Sequence, residues 1–278
     1  MVYPEPLKVA IKKLSNNVVT VSCPFTLLNK LNLGARMTIF HYEGDVIIWS
    51  PLPYNKQILN DAIAELTTDD YSIKYVMIVN VKHNMCAAEY KRQIPGVKLI
   101  GPSPTETGDV EIDVKLTNEN AMKIIKGDMW TSELGITDDS FIKNLELVYN
   151  SYQKNKELQL FENNIQSLFV GDLLFNVGIH GTTSGDHILE QYSPELGFDK
   201  GFNPHGGWSF ATRYLQPFSI IGRFLMNDLQ RTRKYPQETK EFVKLLNSWD
   251  FKEIVVLHGD IIKNGKEAFV SIYGGSLD

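Results

Sequence analysis

Cysteine is scarce: Cys23 and Cys86 are the only two in 278 residues. That excludes a disulfide framework and a Cys-rich zinc site, and makes a reducing compartment, by default the cytoplasm, the expectation. Positive charge forms no long run in the chain. No Lys/Arg run exceeds a doublet such as Lys12-Lys13 or Lys91-Arg92, and the net charge is -5. A nucleic-acid partner needs a basic face, so none is expected. No apolar run approaches the roughly 18 residues of a membrane span, so no membrane partner is expected either. The opening MVYPEPLKVAIKKL lacks the charged-then-apolar pattern of a secretory leader. Histidine is also sparse, at six.

The chain does have enough apolar residues, 43% of the total, to bury a sizeable core. No Ser/Pro-rich linker divides it, so residues 1–278 read as one domain. Strand patterns come in pairs. LKVAIKKL and VVTVSCPF flank Ser15-Asn16-Asn17, and ARMTIFHY and VIIWSPL flank Glu43-Gly44-Asp45. NKQILNDAIAELTT spaces Leu59, Ile63 and Leu66 as a helix with Asn55 as its N-cap. SIKYVMIV is a continuous apolar run, expected of a strand covered on both faces. AAEYKRQI reads as a helix stopped by Pro95, and VKLIGP as a strand. Strands return in LELVYNSY, ELQLFEN and SLFVGDLLF. Two helices follow, with apolar stripes at Phe218, Ile221, Leu225 and Leu229 and at Phe242, Leu245 and Trp249. FKEIVVLHGDII is the last strand and GKEAFVSIY the last helix. Residues 103–140 and 177–212 read as irregular insertions, and long irregular connections are often functional. These elements imply a layered α/β fold.

Three polar residues each end a separate, very apolar strand: His83, Asp172 and His258. Strand ends aim side chains into a shared crevice. Two imidazoles and a carboxylate suit a divalent metal such as Zn, Fe or Mn. Taken singly, each residue reads equally as a turn former.

The order of motifs resembles the metallo-β-lactamase fold from about Val18 to Tyr273. The residues carrying the resemblance are MTIFHYEGDVIIWSP, the strand-loop-helix at 75–91, LFVGDLLF and VVLHGD. It implies an αββα sandwich of two mixed sheets with outer helices, and a hydrolase- or lyase-like enzyme. That family's first metal motif, His-x-His-x-Asp-His, falls here on Ile78, Asn80, Lys82 and His83. Only its last residue is kept. The isolated His expected near 150–160 is missing as well. The resemblance therefore implies that a first metal site is lost. A second survives in part, on His83, Asp172 and His258. At most one metal, or none, is expected.

Lys82 stands where the motif has its Asp. An ammonium about 4 Å from a divalent cation, at an effective dielectric near 20, costs about 4 kcal/mol per unit charge. Lys82 thus either points away from a bound metal or takes the metal's place beside Asp172. Asp172 and Lys82 are the candidate catalytic residues. Asn80, His205 and Trp208 are candidate contacts to a small-molecule substrate, anionic or carbonyl-containing. Trp130, Phe202 and Phe210 are further candidates for the pocket wall. Cys86, at a helix start, is a candidate reactive thiol. Gly207-Trp208-Ser209-Phe210-Ala211 resembles a nucleophile elbow but lacks the buried strand such an elbow needs. Three readings stay open: a one-metal enzyme, a metal-free binder or enzyme using Lys82, and a non-catalytic scaffold.

Overall fold

The computed structural model describes residues 3–277. The chain opens with β1 (Ala10–Lys13), β2 (Val18–Cys23) and a short ribbon, β3 (Thr26–Leu27) with β4 (Leu31–Asn32). β5 (Ala35–Tyr42) and β6 (Asp45–Trp49) form the second expected hairpin. Its turn places Glu43 at φ 51° and Gly44 at φ 88°. Two successive left-handed residues match the twist of the strands they join.

Asn55 caps α1 (Lys56–Ala64), its side chain accepting from the Ile58 N–H. β7 (Ser72–Met77), α2 (Ala87–Gln93) and β8 (Lys98–Pro102) follow. Residues 103–140, expected to be irregular, instead hold β9 (Val114–Leu116), β10 (Ile124–Ile125), α3 (Met129–Leu134) and α4 (Asp139–Asn144). Their shortness left too few residues for a period to show. Trp130, expected in a pocket wall, is fully buried there, and its indole donates to the Leu145 carbonyl. It is a core residue.

β11 (Leu145–Asn150), β12 (Glu157–Glu162) and β13 (Ser167–Val170) come next. The stretch 177–212 is irregular, as expected, apart from 3₁₀ segments, two of a single turn and a longer one at Gly207–Tyr214. The last elements are α5 (Ile220–Gln230), α6 (Pro236–Asn247), β14 (Glu253–Val256) and α7 (Gly265–Tyr273).

One sheet has the order β1-β2-β5-β6-β7-β8-β9 and the other β10-β11-β12-β13-β14. Both are mixed: β6, β7, β8 and β9 run parallel, as do β13 and β14. The sheets face each other across one core, where Phe40, Ile47 and Met77 meet Leu147, Leu160 and Phe169. α1 and α2 cover the outer face of the first sheet through Leu59, Ile63 and Tyr90. α5, α6 and α7 cover the second through Met226, Phe242 and Phe269. The layers are therefore helix, sheet, sheet, helix.

α5 exists where expected but turns the other way. The stripe Phe218, Ile221 and Leu225 is exposed, and Gly222, Met226 and Gln230 are buried. Gly222 sets this rotation: a Cβ there would sit 2.3 Å from the Tyr214 carbonyl oxygen. Only a bare backbone allows that approach, so the glycine face must be the packed face.

Candidate metal centre

The parallel register brings two of the three residues together. Val170 pairs with Val256. Two residues on, Asp172 and His258 leave their strands side by side at the carboxyl edge. His83 arrives from the opposite sheet, in the loop between β7 and α2. Candidate ligand atoms of His83, Asp172 and His258 all lie within 4.8 Å of one another. The Asp172 Oδ1 is 3.3 Å from His83 Nε2 and 3.7 Å from His258 Nε2.

Each residue is held by a backbone or amide partner. His258 Nδ1 lies 2.7 Å from the Gly34 carbonyl, which can only accept. Nδ1 therefore carries the proton, and in a neutral ring Nε2 presents a lone pair to Asp172. Phe25 and Phe175 stack on the two sides of that ring. Burial, then the neighbouring His83, push the His258 imidazole down to about 4. Burial also lowers His83, but the Asp172 carboxylate and its hydrogen bond outweigh it, and the net shift is upward. Asp172 is pushed up by burial and down by both histidines and Asn155; the downward effects win, and its carboxyl is held well below the usual range.

The other Asp172 oxygen, Oδ2, accepts from two amides: Asn80 Nδ2 at 2.9 Å and Asn155 Nδ2 at 2.7 Å. Asn80 is a clamp as well, since its Oδ1 accepts from the backbone N–H of Lys82 and His83. Behind them lies Glu157, fully buried. It accepts from three consecutive backbone N–H groups, Gly171, Asp172 and Leu173, and from the Gln153 side chain. Burial and the charge of Asp172 push its carboxyl up, against those backbone donors. Each of these partners donates, which is the arrangement a carboxylate anion needs.

No family model matches the chain, and no curated protein matches it by sequence. Solved structures do match it over nearly their whole length. A metallo-β-lactamase from Hirschia baltica aligns with a TM-score of 0.57, 12% identity and coverage of 97% of this chain and 98% of that one. The DIM-1 metallo-β-lactamase gives 0.56, 9%, 99% and 100%. The mono-zinc form of FIM-1 from Pseudomonas aeruginosa gives 0.54, 12%, 99% and 99%. The chain has the metallo-β-lactamase fold. At such low identity the likeness is one of fold alone, and the sequence has diverged far within it.

Within this metallo-β-lactamase fold, the three-residue set fits a divalent cation. Two ligands of a tetrahedral ion bound at 2.0–2.1 Å are separated by about 3.4 Å. The two separations from Asp172 Oδ1 bracket that value. His258 Nε2 and Asp172 Oδ1 are both acceptors and lie 3.7 Å apart in a buried setting, an arrangement that a proton or a cation between them stabilises. On the far side, the two asparagine amides occupy the other Asp172 oxygen.

The remaining expected site residues lie elsewhere. The side chain of Lys82 is exposed, and among the described residues no ion pair joins it to Asp172. Its ammonium does not take a metal's place. Asn80 is fully buried and committed to the clamp, so it is not placed to touch a substrate. Both ring nitrogens of His205 are engaged by the hydroxyls of Thr182 and Thr212. Burial pushes that ring down to about 4. It braces the 177–212 loop. Trp208 is 76% exposed and lies against Lys30, away from the three-residue set's cavity. Phe210 is also exposed, and Phe202 packs on Tyr192 and Phe198. Cys86 does line the cavity beside His83. Burial pushes its thiol up to about 11, so it is not a thiolate at neutral pH. Ser209 donates to the Lys30 carbonyl and accepts from the Asn32 N–H, a loop fastening rather than an elbow.

The sequence reading missed Asn155, Glu157 and Gln153. Glu157 carried a signal: it is the ionisable start of ELQLFE, a strand whose every residue is buried. Asn155 carried none, since a turn Asn is ordinary.

Proposed function

We propose that the chain is a hydrolase-like enzyme with one divalent metal held by His83, Asp172 and His258. The observation that carries this is the pair of facing acceptors. Gly34 fixes the His258 tautomer, so its Nε2 lone pair meets Asp172 Oδ1 at 3.7 Å. A bound Zn, Fe or Mn supplies Lewis acidity toward a carbonyl or a water molecule. The chain's own residues do the rest. Asn80 and Asn155 hold one Asp172 oxygen, leaving the other for the cation. Phe25 and Phe175 keep the His258 ring from rotating. Tyr3, Phe25, Met85 and Cys86 form the wall of the small cavity beside His83 and His258, and this wall would have to open to admit a substrate. A small anionic or carbonyl-containing metabolite is the class that suits such a centre. The domain extent, 1–278, is part of this proposal.

A second reading is a metal-free centre. The cavity beside His83 and His258 measures about 10 Å³, room for about one water. The raised His83 imidazole beside the depressed Asp172 carboxylate forms a buried ion pair in which a proton takes the cation's role. This favours a non-catalytic or ligand-binding protein, with His83 rather than Lys82 as the cation.

Elemental analysis of protein purified without chelators separates the two. Near one equivalent of metal, lost in His258→Ala, supports the first. No retained metal, with the wild type failing to compete with a zinc-chelating dye, establishes the second.

A further inference from the structure

A cavity of about 790 Å³ lies away from the candidate centre, between α5, the turn after it and the β11–β12 loop. It is basic. Lys154, Arg223, Arg231, Arg233 and Lys234 line it, against a single carboxylate, Asp228. On a chain of net charge -5 this is a marked local reversal. Among the described residues none of the five cations makes an ion pair. Four of the five are held by other means. Arg223 donates to the Ser271 carbonyl, Arg231 and Lys234 lie over the Tyr235 ring, and Arg233 lies over Phe224. Arg231 occupies the left-handed position that ends α5, at φ 60°, where glycine is usual.

The end of α5 contributes about half a negative charge. That helps the cations stay without carboxylate partners, and it does not offset five of them. The wall is not purely polar. Phe224 and Ile220 line the same cavity and are both more than half exposed. A cavity of several hundred cubic ångströms with convergent cations and an apolar wall has the size and chemistry of a small-molecule site. Planar guanidinium groups match phosphate oxygens two at a time.

We propose that this cleft binds an organic phosphate, its phosphate groups on Arg231, Arg233 and Lys154 and its apolar or aromatic body on Phe224 and Ile220. The site is separate from His83, Asp172 and His258 and does not rest on the metal reading. It does adjoin the loop that serves them. The backbone N–H of Lys154 donates to the Leu229 carbonyl, and the next residue, Asn155, donates to Asp172.

The test is calorimetric titration of the full chain in EDTA with ATP, with pyrophosphate, and with vesicles of phosphatidylcholine containing phosphatidylserine. The expected result is micromolar ATP binding, tighter than pyrophosphate, and weakened roughly tenfold or more in the double variant Arg231→Glu, Arg233→Glu. A melting temperature of that variant close to wild type shows that the loss is local. His258→Ala retaining full ATP affinity places the binding outside the candidate metal centre. No heat with either soluble anion up to millimolar concentration overturns the proposal. Binding to the vesicles alone also overturns it, and makes the cleft a lipid-surface contact instead. Equal affinity for pyrophosphate and ATP removes the role given to Phe224 and Ile220.

Discussion

Asp172 divides two unlike regions. On its Oδ1 side stand His83 and His258, one of them presenting a bare lone pair. On its Oδ2 side stand the amides of Asn80 and Asn155, both donating. The first side is electrostatically incomplete without a proton or a cation. The second is complete as it stands. One oxygen of this carboxylate is already satisfied by hydrogen bonds. The lesson is that an oxygen of a buried carboxylate need not face a cation to be compensated, because two neutral donors at 2.7–2.9 Å stabilise its charge.

The strongest way to break this comparison is to remove what both sides stand on. Glu157→Leu leaves three backbone N–H groups and the Gln153 amide without their acceptor. The expected loss is about 3–5 kcal/mol of stability, read by denaturant unfolding. Loss below about 1 kcal/mol would show that the Asp172 loop does not depend on this carboxylate.

Next is Gly34→Ala. An added Cβ would lie 1.9 Å from Gln191 Oε1, at a φ of +70°. The expected cost is about 2–4 kcal/mol, together with misplacement of His258, whose Nδ1 partner is the Gly34 carbonyl. On the metal reading, zinc affinity measured against a chelating dye falls with it, as it does on direct loss of a ligand in His258→Ala. Unchanged affinity in Gly34→Ala would show that the carbonyl does not orient the ring.

A smaller effect is expected from Asn155→Ala, about 1–2 kcal/mol for one hydrogen bond to a charged group. Asn80 still serves the same oxygen. If Asn155→Ala costs as much as Glu157→Leu, the two sides of Asp172 are not separable.

The smallest effect sharpens the comparison through pH. His83 is raised above its unfolded value. Its contribution is therefore full below about pH 6.5 and lost as pH rises through the folded value. His258 is lowered to about 4. Between there and about pH 6.5 the unfolded chain binds the extra proton, so stability falls as pH drops through that window. Asp172 is depressed, and its contribution is lost only below about pH 4. Metal-stripped protein is thus expected to be most stable near about pH 6.5, and to lose stability as the pH rises from there toward the folded His83 value. Glu157 is raised as well, by burial and the Asp172 charge, so His83→Asn should lessen the alkaline decline and leave the part that belongs to Glu157. A melting profile flat from neutral to alkaline pH in the wild type would dismiss the ion pair.

Much of this was legible because it was written in strands. β7, β13 and β14 are apolar runs that end in polar residues, and parallel pairing then fixes which residues become neighbours. The helix existence of α5 was legible from its period, but its rotation was not. Apolar residues occupy more than one face, and the packed face is marked by Gly222, which a hydrophobic pattern ignores. Lys82, His205 and Trp208 were misplaced because sequence position in a loop does not say where a side chain points. Lys82 adjoins His83 yet faces solvent, while Asn155, unremarked in its turn, reaches Asp172.

The β11–β12 loop has a consequence for change in the chain. Lys154 lines the basic cleft and Asn155, the very next residue, holds Asp172. Adjacent side chains in this turn face opposite ways, so a single-residue insertion or deletion between Asn150 and Glu157 would slide both out of register at once. Surface turns usually absorb such length changes freely. This one cannot, so its length is a more stringent constraint than the identity of most residues within it.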